Sequence, residues 1–420
     1  MNQDGNPLYK YIDMKNKKIG LIGILAIGLV TSCKMQQAGD LVKQNFDFAS
    51  EQLTYALQEI ESAKANDDRD SLSKAEKPLV SPRTLDENGK LKLVVSRDWT
   101  SGFFPGELWY MYEYTKDPKW EEQARAFTAN LEVQKYTKST HDLGFMMYCS
   151  FGNGLRLTND ESYKPILLEA ANSLISRYKP NARIIRSWDH NRDKWQCPVI
   201  IDNMMNLELL FWATKESGDS TYYNIAVNHA NTTIKNHFRE DYGTYHVVDY
   251  DTITGEVLNR HTHQGYAHKS TWARGEAWAL YGYTMCYRET KDNTYLDQAH
   301  HIADFIFSHP NLPLDLIPYW DFNAPEIPNE PRDVSAAAII ASALYELSTF
   351  GGEKAAQYKE QADTIVNNLT LQYRATLNED GGFLLLHSTG SKPSKSEVDV
   401  PLVYADYYFL EALLRKKKNE

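Results

Sequence analysis

Two aspartates and their neighbours carry the chemistry this chain could do. Asp142 follows His141 in HDLGFMMY (141–148), and Asp202 stands in IIDNMMN (200–206), each at an expected helix start and surrounded by apolar residues. Two acids in one pocket can separate their pKa values, so that one stays protonated while the other stays charged. Asp202 lies between Ile201 and a methionine-rich turn, where loss of water raises a carboxyl pKa. It is the candidate general acid, with Asp142 as the second carboxylate. A plainer reading stays open, in which both are helix N-caps and nothing more. Two other segments gather Trp, His, Gln and Arg. They are Arg97–Gly106, which contains Trp99, and His261–Trp278, which contains Gln264, Lys269, Trp272, Arg274 and Trp278. Aromatic faces beside carboxylates and amides suit a sugar, because the rings stack on its apolar face while the polar groups take its hydroxyls.

Other residues read as structural. Trp109, Trp120 and Trp212 fall at helical spacing and are expected in the core, Asp98 is expected to pair with Arg97, and His300, His301 and His309 carry no catalytic pattern. His261 and His263 lack the further ligands of a zinc set, so no metal and no cofactor is expected. No HExxH, GxGxxG, GxxxxGK or GxSxG occurs.

The elements that must position these groups are helices. Apolar residues at three- and four-residue spacing predict twelve of them, near 41–63, 102–115, 118–133, 142–153, 161–178, 201–216, 219–237, 272–289, 293–308, 333–349, 352–374 and 402–417. An internal echo runs through them. Asp117, Asp160, Asp219 and Asp292 each precede an aromatic residue (Trp120, Tyr163, Tyr222, Tyr295) and then a small residue one or two turns on (Ala124, Ala171, Ala226, Ala299), with a looser copy at Tyr358. Repeated helix pairs bury a shared face against their neighbours, and six pairs suggest a closed ring. The long connections, 79–100, 180–199, 239–271 and 309–332, would gather at one end as a binding funnel. One β-hairpin is expected from Tyr245 to Leu258. Residues 41–420 thus read as a single all-α domain.

The chain has 420 residues, 45 Lys+Arg against 56 Asp+Glu, a net charge of −11 and 42% hydrophobic residues. That balance excludes a disordered chain and a multi-span membrane protein, and it offers no basic stripe for nucleic acid. The start is an address. Lys15, Lys17 and Lys18 precede an apolar run from Ile19 to Val30, and Val30-Thr31-Ser32-Cys33 resembles a lipoprotein cleavage box. Residues 1–40 are therefore expected to form an extension with a signal peptide at about 14–32, lipidation at Cys33 and a short tether. This points to a bacterial lipoprotein whose only membrane contact is its lipid, on the outer membrane facing the periplasm or at the cell surface. The other cysteines, Cys149, Cys197 and Cys286, read as core thiols.

Taken together, the runs at 99–115, 141–148, 200–213 and 264–278 resemble the unsaturated glucuronyl hydrolases of glycoside hydrolase family 88. Weaker agreement continues through Tyr319–Phe322 and His387–Tyr408, so the resemblance spans about residues 40 to 417. It implies an (α/α)6 barrel of six helical hairpins. It also implies hydrolysis of oligosaccharides left by polysaccharide lyases, glycosaminoglycan fragments in particular, whose terminal uronic acid carries a C4=C5 double bond. Asp202 matches the proton donor and water activator, and Asp142, beside His141, matches the second essential carboxylate. His246, Gln264, Trp272, Arg274 and Trp278 match pocket positions: hydrogen bonds for His246 and Gln264, stacking for the tryptophans, and recognition of charge for Arg274. Ser388, Ser391, Ser394 and Lys395 fall where some members contact a sulfate or hydroxyl of the second sugar, and Lys269 adds a positive charge. A monomer is expected. The alternatives are an unsaturated rhamnogalacturonyl hydrolase of the related family 105 and a glycan-binding lipoprotein without catalysis.

Overall fold

A computed structural model describes residues 22–350 and 352–420, with side chains from Leu41 onward. The first part of the expected leader (14–21) and the side chain of Cys33 lie outside the described residues. No helix among those described is long and apolar enough to cross a membrane.

In chain order the helices are α1 (Ile22–Ala65), α2 (Ser71–Glu76), α3 (Phe103–Thr115), α4 (Pro118–Ala129), α5 (Asn153–Thr158), α6 (Tyr163–Ile175), α7 (Asn203–Ser217), α8 (Ser220–His237), α9 (Ala273–Thr290), α10 (Asn293–Ser308), α11 (Val334–Ser348), α12 (Ala355–Asn368) and α13 (Val403–Lys418). A π-helical segment, Gly144–Gly152, runs into α5, and together they occupy the place of the helix expected at 142–153.

Six inner elements close a ring. α3 packs on the π-helical segment, that segment on α7, α7 on α9, α9 on α11, α11 on α13, and α13 back on α3. Helices α1, α4, α6, α8, α10 and α12 lie outside them, each against the ring. The two sets differ in sequence because they differ in surroundings. Outer α10 buries Tyr295, Gln298, Ala299, Ile302, Ala303 and Ile306, one apolar stripe with its other face in water. Inner α9 buries every residue from Ala273 to Cys286, as a helix packed on all sides must. Mostly helical and ring-closed, the fold is the α/α barrel that the helix pairs predicted.

The echo marks the outer helices. Asp117, Asp219 and Asp292 cap α4, α8 and α10 by accepting the N–H two residues on, and Asp160 accepts the Ser162 N–H just before α6. The residue before each aspartate ends the preceding inner helix in the left-handed region: Lys116 at φ 60°, Asn159 at 54°, Gly218 at 75° and Lys291 at 59°. These tight turns make one end of the barrel compact.

Strands are more numerous than expected. They are β1 (Leu79–Leu85), β2 (Leu91–Val95), β3 (Tyr178–Lys179), β4 (Ile184–Ile185), β5 (Pro198–Ile200), β6 (Val247–Tyr250), β7 (Val257–His261), β8 (Ser388–Ser391) and β9 (Ser396–Val400). The predicted hairpin is β6–β7, with β5 added on its other edge, while β1–β2, β3–β4 and β8–β9 form further two-stranded pairs. These short strands occupy the long connections, where a few backbone pairings hold loops that no helix covers.

An aromatic plug fills the bore. Phe145 packs against Phe103 at 5.4 Å and Trp278 at 5.1 Å between ring centroids, and Trp278 packs against Tyr408 at 5.4 Å. Cys197 and Cys286 are buried free thiols, and burial pushes Cys197 up to about 11.

Candidate active site

Above the plug, at the N-terminal ends of the inner helices, lies a cavity of about 740 Å³. It falls within the roughly 300–1,000 Å³ typical of small-molecule sites. Trp99, His141, Asp142, Asp202, Gln264, Arg274 and Tyr404 all line it.

A run of backbone pairings brings these distant segments together. Thr140 bridges Trp188, the His141 N–H donates to the Ser187 carbonyl (3.1 Å), and the Ser187 N–H donates to the Pro198 carbonyl (2.9 Å). Next, β5 pairs antiparallel with β6, Ile200 opposite Val247, and the Ile201 N–H donates to the His246 carbonyl at 3.2 Å. Asp202 and His246 therefore sit side by side because one strand register runs into both. Glu276 fixes the approach to His246 by accepting the Thr244 N–H (2.6 Å) and hydroxyl (2.7 Å). On the other side, Gly144 lets the segment after Asp142 press against α7. A Cβ there would stand 2.6 Å from the Asn206 Cα, and Asn206 Oδ1 accepts the Phe145 N–H at 3.0 Å.

The two carboxylates are pushed in opposite directions. Burial pushes Asp202 up to about 6, against the opposing pull of His141 and Arg274, and neighbouring Asp142 adds to the rise. Burial would also raise Asp142, but the positive side of His141 and hydrogen bonds from His141 and Thr140 hold it below the usual carboxylate range. His141 Nε2 lies 3.1 Å from Asp142 Oδ1, and the Thr140 hydroxyl donates to Oδ2.

His246 is buried, which pushes it well below the ordinary histidine range and keeps it neutral. Its Nδ1 accepts the backbone N–H groups of His263 (3.0 Å) and Gln264 (3.1 Å), so the ring proton is on Nε2. That atom stands 3.9 Å from Asp202 Oδ2. Asp202 occupies the N-cap position of α7, yet its side chain caps no helix N–H. This disposes of the N-cap reading for Asp202. Asp202 Oδ2, His246 Nε2, His141 Nδ1 and Trp188 Nε1 are all buried without a hydrogen-bond partner in the protein. Each such atom costs about 1–3 kcal/mol when left unpaired, and three of the four belong to residues that line the cavity.

The other expected residues divide into two groups. Trp99, Gln264, Arg274 and Ser391 line the cavity, as does Ser394, whose Oγ accepts the Ser391 hydroxyl at 3.0 Å. Arg274 is already engaged there, donating to Asp333 Oδ2 and to the Thr389 and Gly390 carbonyls, each at 2.6 Å. Gln264 donates to the same Gly390 carbonyl at 3.2 Å, so the two residues also latch the β8–β9 hairpin over the site.

Six expected residues do not line the cavity: His246, buried behind Asp202, Ser388, buried in β8, and four more. Trp272 lies one layer behind, its ring 4.6 Å from that of His246. Trp278 is fully buried in the plug, because its helix turns it down the bore. Lys269 and Lys395 are exposed, and Lys395 stands in the β8–β9 turn at φ 50°. Asp98 pairs with Arg83 at 2.8 Å in place of Arg97, whose guanidinium donates to the Ser139 hydroxyl at 2.8 Å.

Sequence reading missed Arg83 and Trp188, which both line the cavity. Arg83 bridges Asp98 and Glu397 (2.5 Å to the latter), joining the Trp99 loop to the β8–β9 hairpin. Trp188 sits in the polar stretch RSWDHNRDKW with no periodicity to mark it. A tryptophan isolated among charges was the available signal. Among the described residues no cluster of His, Cys, Asp or Glu could hold a metal.

The profile of Glycosyl Hydrolase Family 88 matches residues 80–414. An unsaturated glucuronyl hydrolase of Formosa agariphila is 55% identical over 328 residues, covering 77% of this chain and 81% of that protein. An unsaturated chondroitin disaccharide hydrolase of Streptococcus agalactiae is 33% identical over 338 residues, covering 79% and 84%. Among solved structures, an unsaturated glucuronyl hydrolase specific for heparin superposes with a TM-score of 0.84 at 46% identity, covering 90% of this chain and 98% of that one.

Proposed function

From the premise that the chain belongs to glycoside hydrolase family 88, we propose that it is an unsaturated glucuronyl hydrolase acting on lyase-generated glycosaminoglycan oligosaccharides. The observation that carries this reading is the pair of carboxylates with separated pKa values, Asp202 raised and Asp142 lowered, on one sugar-sized aromatic cavity.

The reaction follows from that separation. Protonated Asp202 gives its proton to C4 of the enol ether. Positive charge then develops at C5 and is shared with the ring oxygen, and ionised Asp142 is placed to stabilise it. Asp202, now a carboxylate, takes a proton from water as the water oxygen bonds to C5, so the acid is regenerated. The resulting hemiketal opens to a C5 ketone, which leaves C1 as a hemiacetal that releases the remaining sugar and becomes an aldehyde. His246 Nε2–H faces Asp202 and can donate to it in its charged form, or to the incoming water. No oxidant or metal enters this scheme, and one acid suffices because the double bond already places electron density on C4.

Within the class, a heparin-type fragment is the best-supported substrate, since the heparin-specific structure shares 46% identity and the chondroitin disaccharide hydrolase 33%. The experiment is loss of the ultraviolet absorbance of the C4=C5 uronate, using unsaturated disaccharides of heparin, chondroitin and hyaluronan and an unsaturated rhamnogalacturonan fragment. Fastest loss on the heparin disaccharide, abolished in Asp202→Asn, is the expected result. Turnover of the rhamnogalacturonan fragment alone would replace the substrate class, and binding without any turnover would leave a glycan-binding protein. We also propose export as a lipoprotein modified at Cys33 and facing the periplasm, supported by the basic and apolar run before that residue. Labelled palmitate that enters the wild type and not Cys33→Ala is the expected outcome.

A further inference from the structure

A second hollow, of about 440 Å³, opens on the loop that also lines the catalytic cavity, and Arg192, Lys194 and Trp195 are among its walls. Residues 187–190 of this loop face the catalytic cavity, while Arg186 and residues 192–196 face the second hollow. One aromatic wall joins the two. The Trp188 ring lies 5.6 Å from that of Trp195, and both meet His263, at 5.7 and 5.8 Å.

The walls of this hollow carry more cations than anions. The chain carries −11 overall, yet Arg186, Arg192 and Lys194 outnumber Asp189 and Asp193 along this loop. Asp189 is already shared by Arg177 (3.1 Å) and Arg186 (3.2 Å). Arg192 spends its Nε–H on the Asp189 backbone carbonyl (3.0 Å), and the Lys194 ammonium lies 5.9 Å from the Trp195 ring. Among the described residues neither Arg192 nor Lys194 forms an ion pair, and both are exposed, so their charge faces outward beside the mouth of the cavity.

Resting on the functional reading above, we propose that this hollow is an outer subsite that takes an anionic sugar residue, through its carboxylate or O-sulfate, beyond the disaccharide held in the cavity. It shares the Trp188, Trp195 and His263 wall with the catalytic cavity, so a fragment that leaves the cavity along that wall reaches it. Two outward cations beside the buried Trp195 indole suit an anion on a sugar ring better than a neutral one. The enzyme would then favour longer lyase products over disaccharides, and the more so at low ionic strength.

The test is kcat/KM for unsaturated di- and tetrasaccharides of heparin and of hyaluronan, on the wild type and on Arg192→Ala/Lys194→Ala. Both substitutions are on exposed side chains, so the variant should fold. We expect tetrasaccharide kcat/KM to fall about five- to tenfold, through KM, with the disaccharide within about twofold and the salt dependence flattened. Loss confined to heparin assigns the contact to sulfate, whereas loss on both polymers assigns it to carboxylate. Equal change for both lengths, including none, overturns the subsite. Failure of the functional reading would instead show as no wild-type turnover at either length. Tetrasaccharide binding to Asp202→Asn, with and without the loop substitutions, then still decides the subsite by the same ratio.

Discussion

At the catalytic end of the ring, Asp202, His246 and His141 keep buried polar atoms without protein partners around a cavity of about 740 Å³. The opposite end holds a smaller hollow, about 370 Å³, whose charges answer one another. There Arg288 pairs with Glu208, with Glu289 at 2.9 Å and with Glu346 at 2.8 Å. Arg415 reaches Glu346 at 2.9 Å and Glu411 at 3.5 Å, and Glu113 takes Arg156 at 2.5 Å and Lys418 at 3.0 Å. The same inner helices build both ends, separated by the plug of Phe103, Phe145, Trp278 and Tyr408. Their N-termini point toward the catalytic cavity, where helix dipoles favour anions such as Asp142 and a uronate. The last turns of α9 and α13 place Arg288 and Arg415 where the dipoles favour cations. One end answers its charges within the protein, and the other leaves buried polar atoms unpaired beside a cavity.

Asp202→Asn should break this contrast most completely. Activity should fall about 10³-fold or more, measured by uronate absorbance, because no other acid in the cavity is poised to donate. The same change should stabilise the fold. Asp202 titrates near 6, above its ordinary 3.8, so the folded state binds its proton more tightly than the unfolded state. Stability is therefore lost as pH rises from about 4 to about 6 and stays lost above that. A neutral amide removes that loss, by up to about 3 kcal/mol. Thermal melts should show Asp202→Asn above the wild type at pH 7.5 and level with it at pH 4.

His246→Ala should cost about 10²-fold in kcat, with His246→Gln recovering part of it if the outward N–H is what matters. Arg288→Ala sharpens the other side of the comparison. It leaves Glu208 and Glu346 short of a partner and should lower stability by about 3 kcal/mol in denaturant melts, while kcat/KM stays within about twofold. For the wild type, kcat/KM should fall tenfold per pH unit above about 6, as Asp202 loses its proton. The smallest effects belong to Lys269→Ala and Lys395→Ala, both exposed and away from the cavity, each within about twofold in kcat/KM.

Much of the scaffold was legible because its signals are local. The outer helices show one apolar stripe and an aspartate cap, and both follow from helix geometry within a few residues. The (α/α) arrangement followed from counting such pairs. Short strands were less legible. β5 is three residues long and begins with Pro198, so nothing along the chain distinguishes it from loop; only its partner β6, nearly fifty residues on, makes it a strand. Trp278 illustrates the same limit within a helix. Its type suits a sugar platform or a core equally, and the choice rests on which way α9 faces in the ring.

The amino-acid sequence by itself determined the helix pairs, their caps, the long connections at one end and the two candidate aspartates that the cavity brings together. Those depend on neighbours within a turn or two, and on long motifs whose order survives without coordinates. Only the tertiary structure decided that Asp202 faces a neutral His246 while Asp142 is held ionised by His141 and Thr140, and that Arg274 is tied to Asp333 and the β8–β9 hairpin. It also brought Arg83 and Trp188 to the cavity and left Lys269 and Lys395 outside. A side chain's burial, tautomer and partner depend on segments tens to hundreds of residues away, and those distances close only when the ring does.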